Sequence, residues 1–370
     1  MTQEVLPLLG GSLKSLLLLW EVAALELGGE CQTSTVRDLQ TVHERVKHEG
    51  QSFLTITLPQ FCSDFQKSLD QGFVDTTSFA GFGRRGGLPK FLSGFLCRVF
   101  SSAGRLLDDP CIEAIRAVRQ LTLMFSKIEL PCSQERVDSA IAKYIECERN
   151  VRENDANCPT DDLLRFDRIS RLLFGQFFAN VDLAIYRGAV LPRHGPGHTA
   201  DRLKGNRKYE QKEWTQRLEK IFPASEFLLP SYDKVEEALS RITFLEPGAE
   251  RPVRVITVPK TLKTPRIIAI EPTCMQYAQQ GILEVLVHEL SKDNFLRSYM
   301  GFDDQTPNQV LAREGSISGD LATLDLSEAS DRVSNQLVRR LIGNHRWLAE
   351  AVDATRSRKA DVPGYGVIRL

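Results

Sequence analysis

No charge of either sign dominates this chain: 47 Lys and Arg stand against 48 Asp and Glu, a formal net charge of −1 over 370 residues. A global basic field that would draw the whole protein onto nucleic acid is therefore excluded, and any such contact must rest on local clusters. Long apolar runs are missing too. None approaches the ~20 residues of a membrane-spanning helix, so a soluble protein is expected. Leu16–Trp20, the nearest thing to a signal-peptide core, has no basic segment ahead of it and runs into Glu21 and Glu26. An amphipathic helix closed by Gly28-Gly29 is the expectation there. The eight cysteines, at 31, 62, 97, 111, 132, 147, 158 and 274, include no C-x-x-C pair and no His at zinc spacing. That argues against a structural zinc or a disulfide framework and for reduced thiols in a cytosolic compartment. Repeats and low-complexity segments are also absent.

What is present begins with length: 370 residues give material for two or three domains. The first half reads as mostly helical. Thr35 precedes Val36, Leu39, Val42 and Val46, and Gly50 ends that helix. Asp109-Pro110 opens another, with Pro at the first helical position. A third follows Ser133, and a long fourth starts at Thr160 and carries Leu164, Ile169, Leu172, Leu173 and Phe177. Ser52–Leu58, rich in β-branched residues, is the one early strand expected. Gly81–Gly87 reads as a flexible basic loop; without a strand before it and a helix after it, it is no dinucleotide fingerprint.

The second half changes character. Arg187–Lys208 holds six Arg and Lys and two His against one acid, Asp201. Gly and Pro break it into a loop, so the His194/His198 spacing lacks the helix a zinc pair needs, and phosphate contact or a solvated surface are the open alternatives. Helices are expected over Trp214–Phe222 and Ser231–Phe244. In Arg251–Pro272 the cations Arg251, Arg254, Lys260, Lys263 and Arg266 occur with no acid before Glu271. Two β-rich runs, Val253–Val258 and Arg266–Ile270, flank a Pro-bounded loop, which predicts a hairpin-like ribbon. Arg as a bidentate fork and Lys as a point charge on such a ribbon suit a polyphosphate; the alternative is a solvated edge strand guarded by Lys. Thr273-x-x-Gln276 then reads as a capping box launching a helix striped by Leu283, Leu286, Val287 and Leu290, with His288 on its polar flank. Phe295–Gly319 reads as loop.

Leu321–Leu337, LATLDLSEASDRVSNQL, reads as a short apolar strand stopping at Asp325, followed by a helix with Val333, Leu337 and Leu341 on one buried face. A strand-end carboxylate with a second acid at Asp331 suits a divalent cation and a phosphorylated substrate. A turn residue and an exposed first-turn helix acid are the alternatives. Downstream of a cationic ribbon, Asp325 belongs to the equipment of nucleotidyl transfer. That chemistry needs charge neutralisation and in-line positioning, with two ions ~3.5–4 Å apart.

These residues carry a resemblance. ITVPKTLKTPRIIAIEPT, DQTPNQ at Asp304–Gln309 and LDLSEASDRVS look like the replicase beta subunit of leviviruses, the single-stranded RNA bacteriophages. The likeness is tight over Arg251–Leu370, extends to the RHGPGHTAD loop at Arg193–Asp201, and is not specific before about residue 180. It implies an α+β right-hand polymerase fold of fingers and palm, with a helix-rich N-terminal half. Residues 1–185 would be an N-terminal and fingers region, 186–314 fingers with the basic loop and ribbon, and 315–370 the beginning of the palm. It implies an RNA-directed RNA polymerase using two Mg²⁺ ions. Asp325 would be the catalytic metal-binding carboxylate, with the Leu326 backbone carbonyl beside it, and Asp331 would sit at the ribose. Arg254, Lys260, Lys263 and Arg266 would bind NTP. A single-stranded RNA template, the host elongation factors Tu and Ts, a ribosomal protein and the bacterial cytoplasm are the implied partners and place. A competing reading is a non-catalytic RNA- or nucleotide-binding protein.

Asp331 can accept a hydrogen bond from a ribose 2′-hydroxyl, and Ala329 and Ser330 are small where reverse transcriptases resembling this motif carry a bulky aromatic. DNA synthesis is disfavoured. The family also needs a Ser/Gly-rich motif and a Gly-Asp-Asp turn, and this sequence holds neither. Gly301-Phe302-Asp303-Asp304 is interrupted by Phe and reads as a linker turn rather than a permuted copy. The expectation is a palm truncated after its first motif, so that these 370 residues alone do not polymerise RNA.

Overall fold

The computed structural model describes residues 11–228, 235–302, 304–326 and 328–370. The chain forms two compact units. One comprises Met1–Ala140 with Thr257–Arg266, the other Ile141–Ile256 with Ile267–Leu370.

In the first unit α1 (Gly11–Glu30) and α2 (Val36–Glu49) precede a π-helical turn, Phe53–Thr57, that runs directly into α3 (Leu58–Gln71). The strand expected over Ser52–Leu58 does not form. Phe53, Leu54, Leu58, Phe61, Cys62 and Phe65 are all buried, and this spacing continues one helical face. The Thr55 hydroxyl bonds back to the Gln51 carbonyl at 2.9 Å. Packing overrides β-propensity here. The Phe61 ring meets those of Phe79, Phe82 and Phe91 at 4.5, 4.9 and 5.4 Å, and the Trp20 indole donates to the Leu121 carbonyl at 2.8 Å.

Gly81–Gly87 is ordered rather than a flexible loop. It carries β1 (Arg84–Arg85), which pairs antiparallel with β2 (Leu88–Pro89) around Gly86-Gly87. A Cβ on Gly87 would lie 2.5 Å from the Ala103 carbonyl carbon, so only glycine fits. A short α4 (Ser93–Leu96) and α5 (Ile112–Leu123) complete the core. Cys111 caps α5, so Pro110 sits before the cap and not at the first helical position.

In the second unit α6 (Gln134–Asn157, its first turns belonging to the other unit) follows Ser133 as expected, and α7 (Thr160–Tyr186) is long, as predicted. On α7 the residues facing the core are Phe177, Phe178, Val181 and Ile185. Leu164, Ile169, Leu172 and Leu173 are exposed. Trp214 stands in β3 (Glu213–Thr215), not in a helix. Only α8 (Gln216–Glu219) and α9 (Ala224–Phe227) are helical in that region. The expected Ser231–Phe244 helix begins among residues 229–234, which lie outside the described residues. It continues only as α10 (Val235–Leu239), and β4 (Thr243–Leu245) then pairs parallel with β3. Trp214 is fully buried in strand register with Phe244, so burial against a neighbour decided strand over helix.

The two runs of the ribbon form as predicted, β5 (Val253–Val258) and β6 (Arg266–Ile270). α11 (Thr273–Lys292) follows, but Pro272 is its cap residue and no capping box forms. The Thr273 hydroxyl instead bonds the Asp201 carboxylate at 2.5 Å. The buried stripe of α11 is Met275, Ala278, Ile282 and Val285, with Leu290, whereas Leu283 and Val287 are exposed. Small Ala278 and Gly281 let neighbours approach that face, which periodicity alone could not choose.

α12 (Asn294–Tyr299) and α13 (Thr306–Ser318) replace the expected loop, the first capped by Asp293, which accepts the Leu296 N–H at 2.9 Å. α14 (Asn335–Ile342), α15 (Arg346–Thr355), β7 (Lys359–Val362) and β8 (Gly366–Arg369) end the chain. The sheet order is β6-β5-β7-β8, with β7 parallel to β5 and antiparallel to β8. Among the described residues no helix is long and apolar enough to cross a membrane.

Candidate functional site

In the first unit the ribbon tip is built from residues 257–266. Two side chains that sequence reasoning missed brace it: Arg136 donates to the Leu262 carbonyl at 2.7 Å, and the Cys132 thiol lies 3.1 Å from the Thr261 carbonyl. Their only sequence signal is position just before and at the start of α6. The held backbone lies between Lys260 and Lys263, which are exposed, as is Arg266. Among the described residues none of these three cations has an ion-pair or side-chain hydrogen-bond partner. Fixed backbone under unpaired ammonium and guanidinium groups is suited to a polyanion, because no protein carboxylate must first be displaced.

In the second unit Arg254 stands on β5 in register with Asp361 of β7, yet it makes no ion pair among the described residues. Its Nε is buried and has no hydrogen-bond partner. A buried guanidinium nitrogen left unpaired is costly, and an anion accepting from it would remove that cost.

The expected strand ending at Asp325 is absent: residues 320–326 have no regular structure, and Asp325 is exposed. Leu324 is 86% exposed and Leu326 74%. A strand needs a hydrogen-bonding neighbour, and no described strand lies beside this run. Ser327, within the same motif, lies outside the described residues. The helix after it starts later than predicted: Ser334 caps it by accepting the Leu337 N–H at 3.2 Å. Val333 therefore falls outside the helix and is 62% exposed, and Ile342 is the buried residue of α14.

Asp331 precedes that cap and lines a cleft of about 580 Å³ with Glu148, Arg152, Asp155, Arg339 and Arg356. Asp325 and Leu326 are not among its lining residues, so this cleft holds only one of the two acids singled out in the sequence. Burial raises the Glu148 carboxyl above its ordinary value, against the pull of Arg152 and Arg356 and with a push from Asp331. Nearby Tyr144 is pushed up to about 12, by burial first and then by the Glu148 and Asp331 charges. Residues on α6 and α15 thus share this cleft, which local spacing could not reveal. Among the described residues no three His, Cys, Asp or Glu side chains cluster in a way that could hold a metal ion. By themselves these residues do not fit a two-ion centre.

Asp303 of the Gly301–Asp304 turn lies outside the described residues. The Asp304 carboxylate accepts the Thr306 N–H at 2.9 Å, and its bonds with Thr306 hold it below the usual carboxylate range. It is an acid at the start of α13.

The Arg193–Asp201 loop is anchored to α11. Lys208 is buried, and its amine donates to the Gly195 and Gly197 carbonyls. The His194 ring stacks on Tyr277 at 4.4 Å and meets Tyr209 edge-on at 4.6 Å. Burial, then the Lys208 charge, lowers His194 to about 4. A Cβ on Gly281 would come within 2.7 Å of Val190 Cγ1, so glycine lets the stretch of loop at 190–192 lie on the helix. His194 is thus held between two tyrosine rings, and its Nδ1 is buried without a hydrogen-bond partner.

Residues 245–369 match the RNA replicase beta-chain family. The RNA-directed RNA polymerase subunit beta of Qbeta virus (strain MX1) is 42% identical over 115 residues, 31% of this chain and 18% of that relative. The corresponding subunit of Enterobacteria phage SP is 44% identical over 89 residues, 24% and 15% of the two chains. The RNA-directed RNA polymerase beta chain of Escherichia phage MS2 is 42% identical over 86 residues, 23% and 14%. These alignments span less than a fifth of each relative's length. The resemblance seen in the ribbon and the LDLSEASDRVS motif therefore holds over the carboxyl-terminal third, and the family match begins downstream of the 193–201 loop.

Proposed function

We propose, from the match of residues 245–369 to the RNA replicase beta chain, that the chain is part of an RNA-directed RNA polymerase of the levivirus kind. The observation that carries this is the braced ribbon tip, whose three unpartnered cations coincide with the matched segment. Lys260, Lys263 and Arg266 receive the triphosphate of an incoming nucleotide, neutralising charge where phosphoryl transfer needs it. Asp325 is the carboxylate offered to Mg²⁺, with the Leu326 carbonyl beside it, and Asp331 is the ribose contact. In this reading residues 1–314 are the fingers side and 315–370 the start of a palm. The template is single-stranded RNA in the host cytoplasm, and elongation factors Tu and Ts and a ribosomal protein are the partners to seek by co-purification.

Neutralising the tip as Lys260→Gln/Lys263→Gln/Arg266→Gln is expected to weaken NTP binding at least about tenfold, since charge-assisted bonds contribute roughly 1.5–3 kcal/mol each. Photo-crosslinking with an azido-NTP measures this, and unchanged labelling would count against the reading. A second reading, nucleotide binding without chemistry by these 370 residues alone, is favoured by the absence of a three-ligand cluster among the described residues. Primer extension with Mg²⁺ and NTPs decides: no product is expected from this polypeptide, and product formation would overturn that expectation.

A further inference from the structure

We infer that the turn at residues 202–210 is a contact for single-stranded RNA, with Tyr209 as a base-stacking platform and Arg202, Lys204 and Arg207 as phosphate contacts. Gly205–Glu210 is a 3₁₀ helix, in which residues three apart share a side. Lys208 takes the inner side and is buried on the Gly195 and Gly197 carbonyls, while Gly205 is exposed. Arg207 and Tyr209 are thereby turned outward, and Tyr209 is 68% exposed.

An exposed tyrosine is ordinarily mobile, but this one makes a perpendicular ring contact at 4.6 Å with His194, itself stacked on Tyr277, whose hydroxyl donates to the Phe227 carbonyl at 3.1 Å. Arg202 is kept in the left-handed region, φ 63°, where a non-glycine residue is strained, by its N–H bond to the Thr199 carbonyl at 2.9 Å. Arg202, Lys204 and Arg207 are exposed and have no side-chain partner among the described residues. The acids nearby in sequence are Glu210, also exposed, and Asp201, which is engaged by Thr273.

An aromatic ring on a fixed mount beside unpaired cations is the equipment of sequence-tolerant single-strand binding. Duplexes present no free base face to stack. His194 and Lys208 are positioning residues, acting through Tyr209 and the turn. The choice of RNA over other single strands rests on the polymerase reading above; the contact itself rests on this turn.

The test uses the full chain and a short fluorescent single-stranded RNA in anisotropy titrations. Tyr209→Ala is expected to weaken binding about 5- to 150-fold, the span that base–aromatic stacking supplies, while Tyr209→Phe binds like the parent. Arg202→Gln/Lys204→Gln/Arg207→Gln is expected to flatten the slope of log affinity against log salt by about 0.7 for each phosphate no longer neutralised. Both variants keep azido-NTP labelling of the ribbon. His194→Ala is expected to weaken RNA binding without touching that labelling. Parent-like RNA binding by Tyr209→Ala, equal affinity for duplex RNA, or no RNA binding by the parent chain each overturns the inference. Retained NTP labelling in the same samples leaves the polymerase reading standing, and its loss in the parent would count against that reading separately. If Tyr209→Ala fails to fold by circular dichroism, an unchanged salt slope in the triple charge variant overturns the inference instead.

Discussion

Asp38 lies within the core of the first unit, 4% exposed, with the Leu92 N–H donating to it at 2.6 Å. Burial pushes its carboxyl up to about 6, the Leu92 bond opposing that rise. Because the folded value lies above the ordinary 3.8, the native state holds a proton that the unfolded chain releases first. The stabilisation is fully present below about 4 and is lost as pH rises through about 6. Asp38→Asn is expected to flatten stability between pH 4 and 6, and at pH 7 to be as stable as the parent or more so, by roughly 1–3 kcal/mol. Urea melts across that range check it, and a parent profile that instead rises from pH 4 to 6 would refute the assignment. At the same scale, the cations at 254, 260, 263 and 266 were visible in the sequence as an acid-free run. The buried, unpaired Arg254 Nε and the bracing by Arg136 were not, since both depend on residues distant along the chain.

Among the elements, α8 and α15 are joined through Arg217. Its guanidinium forms a two-pronged pair with Glu250, both bonds 2.7 Å, and also reaches the Asp353 and Arg356 carbonyls. The two side chains are 10% and 5% exposed, so removing one leaves the other buried without its counter-charge. Arg217→Ala is expected to destabilise the protein by about 3–5 kcal/mol, a loss readable as a fall in the chemical-denaturation midpoint. A change within about 1 kcal/mol would show that the pair is not buried in solution. Elements fixed by local chemistry were legible: α2, α6, α7 and the strands β5 and β6 stand where periodicity and β-branched runs put them. Elements whose identity depends on a neighbour were not. The Ser52–Leu58 run became helical because its apolar side chains continue the α3 face. The Leu321–Asp325 run lacks a described partner strand, and Trp214 became part of a strand because β4 lies beside it.

For the molecule as a whole, residues 245–369 carry the family likeness, while the first unit's core is made almost entirely by residues before it. Near-zero net charge leaves any RNA or nucleotide contact to local patches, and two exposed cationic stretches, the ribbon tip and the 202–210 turn, are each braced within their own unit. Sequence alone carried the family likeness and the ribbon, and singled out the acids Asp325 and Asp331 as candidates, because motif chemistry is written in short contiguous runs. Tertiary structure decided which of those groups are braced, buried or exposed. It put Asp331 in a cleft with α6 and α15 residues, kept Asp325 out of that cleft's lining, and turned Tyr209 outward by burying Lys208. Those outcomes depend on packing between residues far apart in the chain, and no local pattern encodes them.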